Sequence, residues 1–375
     1  MWRLVFLLFS VNVWASCPVE PLVIAHRGAS GDFPEHTEMA YWQAMQQGAD
    51  FIEADLVPTR DGVLISRHEN ELSQSTNVAM LPQFASRKSR KAVDGVDVEG
   101  WFSEDFTLAE IRQLKARESK PEIRKASATF NDQFAILTLA EIMQLVQRYQ
   151  QSSGRVVGLY LETKHPTYFK HEGRLQSGQL IGIDISELLL QQLSQWQLSA
   201  KNPVYIQSFE MSNLWWMRQH GLSRYQVSAQ LVQLIGDVSG TALYPASNFA
   251  QPWDLVHGKP VHGLQMHSIL QQERFHYGDL LTDAGLQFLA SYVDGIGPWK
   301  EQWYQHNAPM IPLDVTRQLK LQVHPYTFRA EANFLPKHVA DLNTELQQRF
   351  RQGVDGVFTD HTRIAVKARQ AVCRR

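Results

Sequence analysis

The chain has 375 residues, 44% of them hydrophobic, which is ample for one large domain or two ordinary ones. Thirty-six Lys and Arg against 38 Asp and Glu leave a formal charge of −2. That balance excludes the basic field expected of a nucleic-acid-binding surface.

Arg3, the apolar run Leu4–Trp14 and the small-residue end at Val13-Trp14-Ala15 have the layout of a signal peptide over residues 1–15, marking an exported protein. The apolar run is too short to cross a bilayer, which takes about 20 residues. Cys17 follows Trp14-Ala15-Ser16, so lipid anchoring at Cys17 is a rival reading, but Trp is a poor residue three before a lipidated Cys. The only other cysteine is Cys373. An even count in an exported chain favours a Cys17–Cys373 disulfide over two free thiols. First and last strands that neighbour one another in a closed barrel would bring the two ends together.

Short apolar runs then alternate with longer amphipathic ones. Strands are predicted at Leu22–His26, Phe51–Leu56, Val156–Thr163, Val204–Phe209, Gln226–Val232, Asp294–Gly297, Leu321–Tyr326 and Asp355–Thr359. Helices are predicted at Glu38–Gln47, Leu180–Trp196, Met211–His220, Thr282–Ser291, Val315–Lys320 and Pro336–Gln352, with capping boxes at Thr107–Glu110 and Thr138–Glu141. Eight such units make an α/β protein, a (β/α)8 TIM barrel whose active site lies at the C-terminal ends of its strands. Val63–His68 is also strand-like. Only a handful of residues, around Thr59-Arg60-Asp61-Gly62, separate it from the second strand, too few for a parallel crossover, so it is a hairpin arm. Folding back lays His68 beside Glu53 or Asp55. The polar stretch 71–105, with the basic run Arg87–Lys91, breaks the alternation and reads as an inserted subdomain; Gly236–Gly278 reads as a second excursion.

The chemistry gathers at predicted strand ends. Glu53 and Asp55 are two apart, so both face the barrel interior. Two inward carboxylates repel and lose solvation unless a cation lies between them. Glu162 ends the third strand and completes an all-carboxylate set suited to a hard divalent cation, Ca²⁺ or Mg²⁺. His26 and His68 suit general base and general acid, because imidazole titrates near neutrality. Arg27 can fork two donors onto phosphate oxygens, and Lys164 shares the face of Glu162. Phe209 and Tyr326, with Phe33 and Trp299, are candidate aromatic contacts for substrate; His36 and His324 are secondary pocket candidates.

At these residues the chain resembles the glycerophosphodiester phosphodiesterase family, whose signature HR…ExD…H stands here as His26-Arg27, Glu53-Ala54-Asp55 and His68. The likeness continues through Pro34-Glu35-His36-Thr37, Thr59-Arg60-Asp61-Gly62, Glu162-Thr163-Lys164, Gln207-Ser208-Phe209, Val323-His324-Pro325-Tyr326-Thr327 and Gly356-Val357-Phe358-Thr359-Asp360. It is greatest to the periplasmic, glycerol-3-phosphate-producing branch. The resemblance implies a TIM barrel with an insertion after the second strand. It implies a divalent metal, commonly Ca²⁺, on Glu53, Asp55 and Glu162, and acid–base roles for His26 and His68. It also implies periplasmic hydrolysis of small glycerophosphodiesters such as glycerophosphocholine and glycerophosphoethanolamine. The charge balance argues against a nucleic-acid partner, the short apolar run against a stable membrane span, and a homodimer is a candidate assembly. The chain departs from many members in having His36 within PEHT where they have PENT, and His68-Glu69 where they have HD. A phospholipase acting on intact lipids and a non-catalytic binding protein are the rival classes. The first would need exposed apolar loops, and the second would be expected to lack one of the histidines or carboxylates.

Overall fold

A computed structural model describes residues 17, 19–196, 202–238, 249–256, 275–304 and 311–373. The proposed signal segment lies outside them, as does much of the Gly236–Gly278 excursion.

Eleven strands are present among the described residues: β1 (Leu22–Ala25), β2 (Phe51–Pro58), β3 (Leu64–Ser66), β4 (Ser89–Val93), β5 (Val96–Gly100), β6 (Gly158–Thr163), β7 (Val204–Ser208), β8 (Gln230–Ile235), β9 (Gly295–Pro298), β10 (Gln322–Val323) and β11 (Gly356–Thr359). Eight of them form a parallel sheet in the order β10-β9-β8-β7-β6-β2-β1-β11. The ring closes between its ends by a parallel Phe328–Thr359 bridge and by Phe358 N–H donating to the Pro325 carbonyl at 3.0 Å. This is a (β/α)8 barrel, and each predicted barrel strand overlaps one of its eight staves. β2 and β6 are buried along their whole length, as a strand with helices outside and a filled barrel inside must be.

The barrel interior is filled by Ile24, Phe51, Tyr160, Tyr205, Val232 and Phe358. Tyr160 and Tyr205 stack with centroids 4.7 Å apart. His324 belongs to this plug. It is fully buried, its Nδ1 lies 3.0 Å from the Tyr160 hydroxyl, and it does not line the cavity above. The larger apolar cluster, including Ile52, Leu161, Ile206, Leu189 and Leu289, lies between the strands and the surrounding helices.

Both expected capping boxes form. Thr107 and Glu110, and Thr138 and Glu141, exchange side-chain and backbone bonds. Two predicted helices start later than periodicity suggested. Ile185–Gln195 begins after its Asp184 cap and Leu342–Gln352 after its Asp341 cap, because each aspartate takes the first free backbone N–H groups of the turn. A helix at Thr362–Cys373, absent from the sequence reading, follows β11. It carries Cys373 to within 5.0 Å (Cα–Cα) of Cys17, and the two are disulfide-bonded.

β3 folds antiparallel onto β2, as the short connection required. Between β3 and the helix Leu139–Ser153 the chain builds the β4–β5 hairpin and several short turns over a second apolar cluster that includes Leu72, Phe84, Val93, Phe102 and Phe106. The basic run here is largely ion-paired: Arg87 to Glu110, Lys88 to Glu99, and Lys91 to both Glu104 and Asp105. No described helix is long and apolar enough to cross a membrane.

Candidate active site

The parallel register sets the site. Asp55 lies opposite Glu162, and Glu162 opposite Gln207, so inward side chains of β2, β6 and β7 meet at one level. Ala25 is paired with both Ile52 and Thr359, so one residue further on His26 arrives beside Glu53 and Asp360. At this C-terminal face a cavity of about 750 Å³ is lined by His26, Arg27, His68, Glu162 and Lys164 among others.

Oxygen atoms of Glu53, Asp55 and Glu162 all lie within 4.8 Å of one another, and all three residues are buried. Glu53 Oε2 accepts the Arg27 backbone N–H at 2.7 Å, while Oε1 has no partner. Burial, together with Asp55 and Glu162, pushes the Glu53 carboxyl well above its ordinary range. Burial raises Glu162 to about 7, against the pull of Lys164. Asp55 goes the other way: although burial opposes it, Lys164, Arg27 and His36 hold it well below its ordinary range. A crowded set of buried oxygens with one orphan among them fits a hard divalent cation.

The cationic candidates are turned onto these acids. Lys164 Nζ is 2.7 Å from Glu162 and 3.4 Å from Asp55. Arg27 binds Glu35 at 2.9 Å and lies 3.2 Å from Asp55. Arg27 and His36 both hold positive φ, 58° and 60°, a conformation rare outside glycine. Gly28 follows at φ 84°, and a Cβ there would come within 2.6 Å of the Ala40 carbonyl carbon, so this turn requires glycine. His36 lies beneath the cavity. Its Nε2 is 2.9 Å from Asp55, and its Nδ1 meets Tyr41 and Ser66, so it orients a carboxylate.

His26 Nδ1 lies 2.6 Å from Asp360 Oδ1. Despite burial, Arg329, Arg124 and His26 hold Asp360 well below its ordinary range, so the carboxylate accepts the Nδ1–H and leaves Nε2 without a proton. Burial and Arg27 push the His26 imidazole down to about 3, against Asp360. His68 reaches the same cavity by a different route from the one expected. The hairpin register pairs Leu56 with Ser66, and Arg67 N–H donates to the Asp55 carbonyl. Arg67, rather than His68, therefore opposes Asp55, because the turn centres half a pair away from the alignment expected. His68 enters as the chain leaves the strand, with Nδ1 2.8 Å from Glu69. Partial desolvation, Arg27 and Lys164 lower its pKa, against Glu69.

Phe209, Tyr326 and Trp299 line the cavity, whereas Phe33 packs on Phe130 away from it. The Tyr326 hydroxyl donates to the Ile235 carbonyl at 3.0 Å. Sequence reasoning assigned no role to Asp360, Glu35, Glu69, Asp94, Arg124 or His165. Asp360 was within reach, since it sits two residues past the inward Phe358, the same parity that located His26. Arg124 and Asp94 come from irregular loops with no periodicity to expose them.

A barrel mouth with two carboxylate-held imidazoles, a three-carboxylate cluster and two phosphate-seeking cations is the apparatus of a phosphodiester hydrolase. Residues 26–261 match the Glycerophosphoryl diester phosphodiesterase family. A glycerophosphodiester phosphodiesterase of Arabidopsis thaliana, GDPD6, is 33% identical over 358 residues, covering 91% of this chain and 84% of that protein. One from Treponema pallidum is 26% identical, covering 94% and 93%. Among solved structures, an Oleispira antarctica phosphodiesterase in complex with sn-glycerol-3-phosphate superposes with a TM-score of 0.53 at 17% identity, covering 93% of this chain and 96% of that one. A Silicibacter pomeroyi protein superposes with a TM-score of 0.60 at 17% identity, covering 95% of each chain. The chain belongs to the glycerophosphodiester phosphodiesterase family and is an enzyme of that class.

Proposed function

We propose that the enzyme hydrolyses small glycerophosphodiesters, such as glycerophosphocholine and glycerophosphoethanolamine, to sn-glycerol 3-phosphate and an alcohol. One observation carries this reading: two imidazoles, each held by its own carboxylate, line the same cavity as Glu162, the member of the three-carboxylate cluster that reaches it. Glu53, Asp55 and Glu162 would hold the divalent cation, most suitably Ca²⁺ with Mg²⁺ as the alternative, which would neutralise charge on the phosphate oxygens. Arg27 and Lys164 supply donors to those oxygens. One histidine of the pair His26 and His68 takes the proton of the attacking hydroxyl as its oxygen bonds to phosphorus. The other protonates the alcohol oxygen as its bond to phosphorus breaks. The attacking hydroxyl is water or the substrate's own glycerol 2-hydroxyl, the latter passing through a cyclic phosphate.

The aromatic lining of the cavity supports a cationic alcohol. Phe209, Phe249 and Trp253 all line it. Aromatic faces favour an ammonium head group. The export reading of residues 1–15, with a barrel over 16–375 and an insertion at 71–105, supports a periplasmic reaction. The Cys17–Cys373 bond supports an oxidising compartment.

The test is glycerol 3-phosphate release from glycerophosphocholine in EDTA, then with Ca²⁺ or Mg²⁺ restored, for wild type, His26→Ala and His68→Ala. Release should require metal, and each variant should lose about 10²-fold or more in turnover with its fold intact. Release in EDTA, or full turnover in either variant, would refute the assignment.

A further inference from the structure

Beyond the two histidines, a third imidazole is built into a chain of charged groups that ends at His68. Glu69 Oε1 is 2.8 Å from His68 Nδ1. Its Oε2 is 3.4 Å from His165 Nε2, and His165 Nδ1 is 2.5 Å from Asp94 Oδ2. Asp94 sits in the two-residue turn between β4 and β5, so the hairpin that lies outside the barrel ends on this chain. Asp94 and Gly95, with φ 44° and 76°, form the left-handed pair of a two-residue hairpin turn, so the hairpin itself sets Asp94, while His165 also holds positive φ, 48°.

We propose that His165, anchored by Asp94, is a positioning residue that holds Glu69 and through it fixes the orientation and proton affinity of the His68 imidazole. This rests on the catalytic reading of His68 above. His68 is a third exposed at its side chain and has Glu69 as its ion-pair partner. An imidazole on an adjacent, equally exposed carboxylate would swing freely unless that carboxylate were held from its other oxygen. His165 does this as a cation. Burial opposes its charge, but Asp94 and Glu69 raise its pKa well above the ordinary value. Glu69 stays ionised between its two histidines, although burial opposes that as well. The other charged groups facing His68 are Arg27, Lys164, Asp55 and Glu35, and Glu210 faces Asp94. The β4–β5 hairpin thereby becomes part of the active site, reaching the acid–base residue at second hand.

The experiment compares the metal-loaded wild type with His165→Asn, Asp94→Asn, Glu69→Gln and His68→Ala, using glycerophosphocholine across pH. Asparagine tolerates positive φ, so the first two variants keep the backbone. His165→Asn and Asp94→Asn should each lower kcat about 10-fold or more, the scale of losing an imidazole's outer partner, with KM changed less than about 2-fold. With His165 gone, the Glu69 charge acts on His68 alone, so the kcat/KM limb reporting His68 should move to higher pH. Glu69→Gln should move it to lower pH. Folded His165→Asn with wild-type kcat and an unmoved limb, while His68→Ala is inactive, would overturn the proposal and leave the catalytic reading standing. Wild-type activity in His68→Ala would overturn both. If His165→Asn fails to fold, Asp94→Asn decides by the same limb.

Discussion

Replacing Glu53 by Gln should make the metal-free protein more stable while abolishing its activity. Glu53 is fully buried, its Oε1 has no partner, and two further carboxylates lie within 4.8 Å. A glutamine carbonyl can still accept the Arg27 N–H that Oε2 now accepts at 2.7 Å. Its NH₂ would then donate to Asp55 or Glu162, turning a repulsion into a hydrogen bond. A buried unsatisfied polar group costs about 1–3 kcal/mol. Unfolding entropy near 2.1 cal/mol/K per residue makes that roughly 1–4 °C in Tm for a chain of this size. Wild type should gain from metal instead: at a hundredfold excess over Kd the linkage is about 2.7 kcal/mol, or some 3–4 °C. The assay is thermal unfolding of both proteins in EDTA and in millimolar Ca²⁺, with glycerol 3-phosphate release alongside. Wild type should be stabilised by Ca²⁺ and Glu53→Gln should not, while the variant in EDTA melts above wild type in EDTA. A variant that melts lower in EDTA, or that retains the full Ca²⁺ shift, would show that the three carboxylates are not a strained cation site.

Glu162, raised to about 7 by burial, binds its proton more tightly in the folded state. Its contribution to metal-free stability is therefore complete below the ordinary carboxyl pKa and lost as pH rises through about 7. Tm in EDTA should accordingly fall more steeply between pH 5 and 7.5, by about a degree or more, in wild type than in Glu162→Gln; parallel curves would contradict the raised pKa. Asp360→Asn should lower turnover about 10²-fold, because an amide no longer selects the Nδ1–H form of His26. It should also lower Tm, since Arg124 and Arg329 lose a buried partner; unchanged kcat would separate His26 orientation from catalysis. Cys17→Ser should cost about 2–4 kcal/mol of stability, read as a lowered Tm, with kcat at 25 °C unchanged. An equal Tm for oxidised wild type and the variant would mean that the bond does not constrain the unfolded chain.

The eight staves of the barrel and the inward pairing of Glu53 with Asp55 could be read from local pattern. A strand buried on both faces must be a continuous apolar run, and alternation of side chains fixes which residues look inward. The same parity applied to β11 reaches Asp360. Its role depends on β1 and β11 being neighbours, which is long-range information: the bond to His26 spans 334 residues. The register of the β2–β3 hairpin was missed by a single residue, because the connection over residues 59–63 admits more than one turn centre and only packing selects among them. Arg124, His165 and Asp94 belong to segments without periodicity, and their partners lie at separations of 236, 96 and 71 residues.

The sequence by itself determined the fold class, the strand ends on which the chemistry sits and the residue types that gather there, since each follows from local periodicity and from the chemistry of single side chains. Only the tertiary structure decided which carboxylate holds which histidine, which residue of the hairpin arm opposes Asp55 and what the β4–β5 hairpin contributes. Those contacts are selected by packing across the fold, and no local preference encodes them.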